Sequence, residues 1–219
     1  MIYVGKNIVI DACVAIDLSI PQVNFIEGFL KCLGDDKVYI SSVNFEEVRD
    51  GKVKRILHES NNVNVFLADE VKFNMFSNEI EPLRINLATK DRHVLFLANE
   101  LKADYVVSSD LNVIDKTDKY RKHMRFNYMK TLTTISLLEY LYLERKIEYD
   151  TLFEKGLYLF KNKEIDNILN HLSDENLNSS RQKQIEIINE YKIIFKDRFE
   201  MYREPIVNQF RHLWSVGGI

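Results

Sequence analysis

A run of apolar, mostly β-branched residues, Asn7-Ile8-Val9-Ile10, stops directly on Asp11, and a second, Tyr105-Val106-Val107, leads through Ser108-Ser109 to Asp110. Runs this short and apolar fit strands buried on both faces, the environment of a parallel sheet. Parallel neighbours need long crossovers, and the stretches between the runs carry helical spacing. Phe25, Phe29, Leu30 and Leu33 recur at that spacing after Ile20-Pro21 and stop at Gly34, while Val94, Leu95, Ala98 and Leu101 form an apolar stripe after Asp91. Residues 37–40 give another β-rich run, followed by Ser41 or Ser42 as cap of a helix carrying Phe45 and Val48 up to Gly51.

Residues 62–67 read as a strand or as part of a longer helix, residues 126–129 as a last strand, and residues 136–146 as a helix with Leu137, Leu138, Leu141 and Tyr142 facing inward. The mixed pattern over residues 70–87 assigns no element. Strands alternating with helices predict a three-layer α/β/α domain with a mainly parallel central sheet over residues 1–146. Beyond it the β-rich runs vanish, and residues 147–219 read as an α-helical C-terminal extension with helical stretches at 152–172 and 181–202. In the second stretch Ile185, Ile188, Tyr191, Phe195, Phe199 and Tyr202 form one apolar stripe, which must pack on the main domain, on a neighbouring helix or on another chain.

Composition narrows the function classes. The 219 residues are 46% hydrophobic, enough for one substantial core and an appended module. No run approaches the ~20 apolar residues of a membrane span, and residues 1–5 lack a signal-peptide layout, so a cytoplasmic chain with no membrane partner is expected. Cys13 and Cys32 read as small buried residues rather than a bridge. A net charge of −3 argues against coating nucleic acid by bulk electrostatics. The histidines show no zinc-ligand spacing, and neither a phosphate-binding Gly-rich loop nor a nucleophile elbow occurs.

Acids stand at the positions where an open parallel sheet binds ligands. Asp11 and Asp110 follow strands, whose carboxyl ends share one edge. Glu47 lies in the helix after the second strand, and Asp91 opens a helix. Neighbouring carboxylates repel and raise one another's pKa, so a cluster of them calls for a cation. Hard oxygen ligands suit Mg²⁺ or Mn²⁺, which acidify water and stabilise charge on a phosphate, and phosphodiester hydrolysis is the chemistry that follows most directly. Each acid also has an ordinary structural use: Asp91 as a helix N-terminal acid, Glu47 beside Glu46 on a solvated face, and Asp11 and Asp110 as turn or cap residues.

Residues 8–14 (IVIDACV), 40–51 (ISSVNFEEVRDG) and 91–110 (DRHVLFLANELKADYVVSSD) resemble, in order, the acidic motifs of PIN-domain nucleases, over roughly residues 6–145. The resemblance implies that Asp11, Glu47, Asp91 and Asp110 bind Mg²⁺ or Mn²⁺ and catalyse hydrolysis of RNA, as in toxin ribonucleases paired with an antitoxin protein. Three departures stand out: Ser108 where Thr is usual, Asn112 where a further Asp is frequent, and the extension. Ser108 keeps a hydroxyl for a water or phosphate, Asn112 removes a charge from a second metal site, and Asp115 fits that position less well by spacing. From the helix start Arg92 and His93 are expected to reach a phosphate or a neighbouring carboxylate, and Arg92 reads at least as well as a structural salt bridge.

Lys116, Lys119, Arg121, Lys122, Arg125 and Lys130, interleaved with Tyr120, Phe126 and Tyr128, form a basic segment that reads equally as an RNA contact or a solvated surface. Two rival functions remain: a catalytically degenerate PIN-like module that binds RNA or protein, and a signalling domain with a phosphoacceptor aspartate. The latter gives Glu47 and Asp91 no role. The extension serves either as a helical cap on the substrate groove or as a surface for a homodimer or partner.

Overall fold

A computed structural model of the chain describes residues 5–126 and 128–159. It divides into two compact units, residues 1–137 and residues from Leu138 onward. The first contains a five-stranded, wholly parallel sheet built from β1 (Asn7–Ile10), β2 (Lys37–Ser41), β3 (Val63–Phe66), β4 (Tyr105–Val107) and β5 (Lys130–Leu132), in the order β3-β2-β1-β4-β5. The chain winds outward from β1 through β2 to β3, then crosses to the other side of β1 for β4 and β5. That reversal makes the β1–β4 boundary the switch point, where connecting segments leave in opposite directions and open a crevice at the carboxyl ends of the strands.

Helices fill the crossovers. Helix α1 (Ala12–Ser19) and α2 (Ile26–Cys32) join β1 to β2, and α3 (Ser42–Glu47) and α4 (Gly51–Glu59) join β2 to β3. Then α5 (Glu70–Ile80) and α6 (Thr89–Glu100) lead to β4, and α7 (Leu111–His123) leads to β5. Beneath α5, α6 and α7 lies an apolar cluster that includes Phe76, Val94, Leu97, Val113 and Tyr120 and receives Val9 and Val106 from the two central strands. Because strand side chains alternate, Ile8, Ile10 and Val107, all fully buried, face the opposite layer. A chain of tilted and edge-on rings, Phe73–Phe96–Phe76–Tyr120–Phe126, runs through the first layer, and Phe126 stacks on Tyr128.

Several elements depart from the sequence expectation, each for a local reason. The helix expected to run to Gly51 breaks at Val48, whose backbone is extended, and Asp50 starts a new helix by accepting hydrogen bonds from the amides of Lys52 and Val53. Gly51 therefore opens α4 instead of ending α3. The region without assignment contains α5, capped by Asp69 through the amides of Val71 and Lys72. The last strand begins at Lys130, not within residues 126–129, because Met129 has φ 66°, a left-handed conformation that excludes it from a strand. The basic segment belongs largely to α7, with Val113, Thr117 and Tyr120 on its buried face. Cys13 and Cys32 are only half-buried.

Helix α8 (Thr134–Leu143) crosses the boundary between the units, and α9 (Tyr149–Leu159) belongs to the second, where Tyr149 packs on Tyr142 and Phe153. The rest of the expected helix at 152–172 and all of that at 181–202 lie outside the described residues. Among the described residues no helix is long and apolar enough to cross a membrane.

Candidate functional site

Strand register brings hydroxyl and carboxylate groups level at one edge. Carrying the pairings Val9↔Tyr39 and Ile10↔Val107 forward sets Asp11 between Ser41 and Ser108, and the Asp11 amide still donates to the Val107 carbonyl at 3.0 Å. Asp11 occupies the N-cap position of α1, yet its side chain makes no cap hydrogen bond. Its carboxylate, 6% exposed, instead accepts from Ser108 Oγ at 2.8 Å and Cys13 Sγ at 3.2 Å on Oδ2, and from Asn44 Nδ2 at 3.3 Å on Oδ1. A capping role therefore does not account for this residue.

Ser108, fully buried, joins two of the acids: its hydroxyl donates to Asp11 and accepts from the Asp110 amide at 3.0 Å. That makes Ser108 a link between the Asp11 carboxylate and the Asp110 backbone. Asp110 does act as an N-cap, its Oδ1 accepting from the Asn112 amide at 2.8 Å, which leaves Oδ2 for other partners. Asn112 is exposed in the first turn of α7.

Glu47 closes α3 and pairs with Lys90, in the first turn of α6 beside Asp91. Burial pushes the Asp91 carboxyl above the usual carboxylate range, and the negative charges of Asp11, Asp110 and Glu47 push the same way against the pull of Lys90. The Lys90 ammonium is held above its ordinary value by its hydrogen bond to Glu47 and by the charges of Glu47, Asp91 and Asp11. Thus the four acids singled out from sequence share one electrostatic field. Among the described residues, however, no three His, Cys, Asp or Glu side chains close around a common point as a ready metal cage. The arrangement is an open acidic edge, in which water or substrate oxygens would have to complete a coordination shell. The donor set is all carboxylate, and the mutual repulsion felt by Asp91 is what a hard divalent cation relieves, so the residues fit Mg²⁺ or Mn²⁺.

Arg92 donates through Nε to the Leu87 carbonyl at 2.9 Å and so fastens the segment that precedes α6. His93 stacks on Phe73 with centroids 3.8 Å apart, and burial lowers its pKa. Three residues at the edge were not singled out from sequence: Asn44, Lys90 and Cys13. Asn44 stands three residues after the cap Ser41, the spacing of a capping box, and that signal points to it. Burial, then Asp11, pushes the Cys13 thiol up to about 12, so it remains a protonated donor to Asp11 at neutral pH. A further buried carboxylate, Asp17 of α1, accepts from the hydroxyls of Ser109 and Thr134 and ties α1 to the segment after β4.

Fold and edge together define a doubly wound α/β/α protein with an acidic rim at its switch point. Comparison of the chain with protein-family models, with curated proteins and with solved structures yields no match.

Proposed function

We propose that this chain is a divalent-metal-dependent nuclease that hydrolyses RNA phosphodiesters in the cytoplasm. The observation that carries the reading is the Ser108 hydroxyl at the switch point, which donates to the Asp11 carboxylate and accepts from the Asp110 backbone amide, within the field that raises Asp91. The resemblance of the three acidic motifs to PIN-domain nucleases supports RNA as substrate, and an antitoxin protein or a second copy as a partner.

Asp11, Asp110, Asp91 and Glu47 would hold Mg²⁺ or Mn²⁺, directly or through water. When bound, the ion would supply an acidified water and offset charge on the phosphate. The protein's own part is positional. Ser108, Cys13 and Asn44 orient the Asp11 carboxylate, and helix α7 fixes Asp110 by its cap. Asp91 rides on the first turn of α6, where the helix dipole favours its ionised form once a cation is present. Lys90 neutralises Glu47 and must release it before Glu47 can serve a cation.

The test is cleavage of mixed RNA by purified protein in Mn²⁺, with a chelator control and Asp11→Asn. Cleavage that needs metal and falls to background in the variant, with the circular dichroism spectrum unchanged, is the expected result; full activity of the variant in Mn²⁺ refutes the mechanism. The Lys90–Glu47 pair favours a second reading, a module that binds RNA without cutting it. That reading expects RNA retention in chelator and no cleavage in any metal.

A further inference from the structure

We infer that Asn44 is the positioning residue of the acidic edge: its amide, locked by the cap of α3, aims the Asp11 carboxylate at the cation. This rests on the metal-dependent reading above and adds to it a residue that carries no charge and is not itself a ligand.

Hydrogen-bond logic fixes the direction of the amide. Ser41 Oγ accepts from the Asn44 backbone amide at 3.1 Å, so the hydroxyl proton points elsewhere, and it is donated to Asn44 Oδ1. With Oδ1 engaged as acceptor, Nδ2 is the end left to face Asp11, which it meets at 3.3 Å on Oδ1. Both Ser41, 2% exposed, and Asn44, fully buried, are held out of water, which cannot replace these bonds. The opposite oxygen of Asp11 is held by Ser108 and Cys13.

A carboxylate gripped on both oxygens by neutral donors keeps one orientation. Ser108 acts from the β4 side and Asn44 from the β2 side, so the two strands that flank β1 each steer one oxygen. Groups that orient a metal ligand in this way typically change metal affinity by ~10- to 100-fold when removed.

Calorimetric titration of Mn²⁺ into the full chain tests this directly, without reference to turnover. Asn44→Leu, close in volume and lacking both polar groups, is expected to weaken Mn²⁺ binding by ~10- to 100-fold. Asp50→Ala removes the cap of α4 instead and controls for helix destabilisation. It is expected to lower the melting temperature while leaving Mn²⁺ affinity within about twofold, since Asp50 bonds only the amides of its own helix. Wild-type binding with Asn44→Leu unchanged overturns the inference and leaves the metal reading intact, whereas a wild type that binds no Mn²⁺ sinks both. Should Asn44→Leu fail to fold, Ser41→Ala, which keeps the amide but unlocks it, decides the matter: weakened binding supports the inference, and unchanged binding overturns it.

Discussion

Asp91 carries opposite demands with and without a cation. Its carboxyl is raised above the ordinary 3.8 by burial and by Asp11, Asp110 and Glu47, so the fold prefers it neutral. The associated stability is fully present below 3.8 and is lost as pH rises through the higher folded value. In chelator, Asp91→Asn is therefore expected to melt above wild type at neutral pH, with the gap closing below 3.8; thermal melts across pH read this. An equal gap at every pH contradicts the account. The prominence of Asp11 and Asp110 was legible in the chain because each follows an apolar run and such runs end at one edge of a parallel sheet. Of the donors to Asp11, Ser108 was marked by its hydroxyl and Asn44 stands at capping-box spacing from Ser41, but Cys13 has no pattern of its own, and the bond each makes to Asp11 depends on which strands become neighbours.

At the scale of elements, local capping decides where helices begin. Asp69 satisfies two free amides of α5, and that helix packs Phe76 and Ile80 into the core. Asp69→Ala is expected to cost about 1 kcal/mol in denaturant unfolding and to leave RNA cleavage unchanged, because the cap serves only its own helix. The three strands read most readily, at residues 7–10, 37–40 and 105–107, are rich in β-branched and aromatic residues, whereas β3, interrupted by Asn64, lies in the stretch 62–67 that read as a strand or as part of a longer helix. Strand β5, Lys-Thr-Leu, is too short and too polar to show such a run, and the neighbouring aromatics Phe126 and Tyr128 drew the expectation several residues early. Helices α1 and α7 follow their strands with no intervening turn signal, and α7 carries so many charges that its buried stripe of Val113, Thr117 and Tyr120 is hard to see in the sequence.

For the molecule as a whole, the proposed cation binding would be linked to folding, because only the folded chain gathers the acids. Mn²⁺ at a hundredfold excess over its dissociation constant is expected to add about 2.7 kcal/mol of stability, seen as a rise in melting temperature. That rise should vanish in Asp11→Asn. A melting temperature indifferent to Mn²⁺ in the wild type argues that no ion is captured. The sheet order was only partly readable: alternation announced parallel strands, but the crossing from β3 back over β1 to β4 is a tertiary choice.

The same crossing orders events during synthesis. Strand β1 is made early, yet its second neighbour is β4, and Asp11 acquires Ser108 and Asp110 only after that later strand has left the ribosome. A nascent chain halted before Tyr105 would thus carry Asp11, Glu47 and Asp91 without their fourth partner. On the proposed nuclease reading, the acidic edge therefore stays incomplete until four of the five strands have been translated.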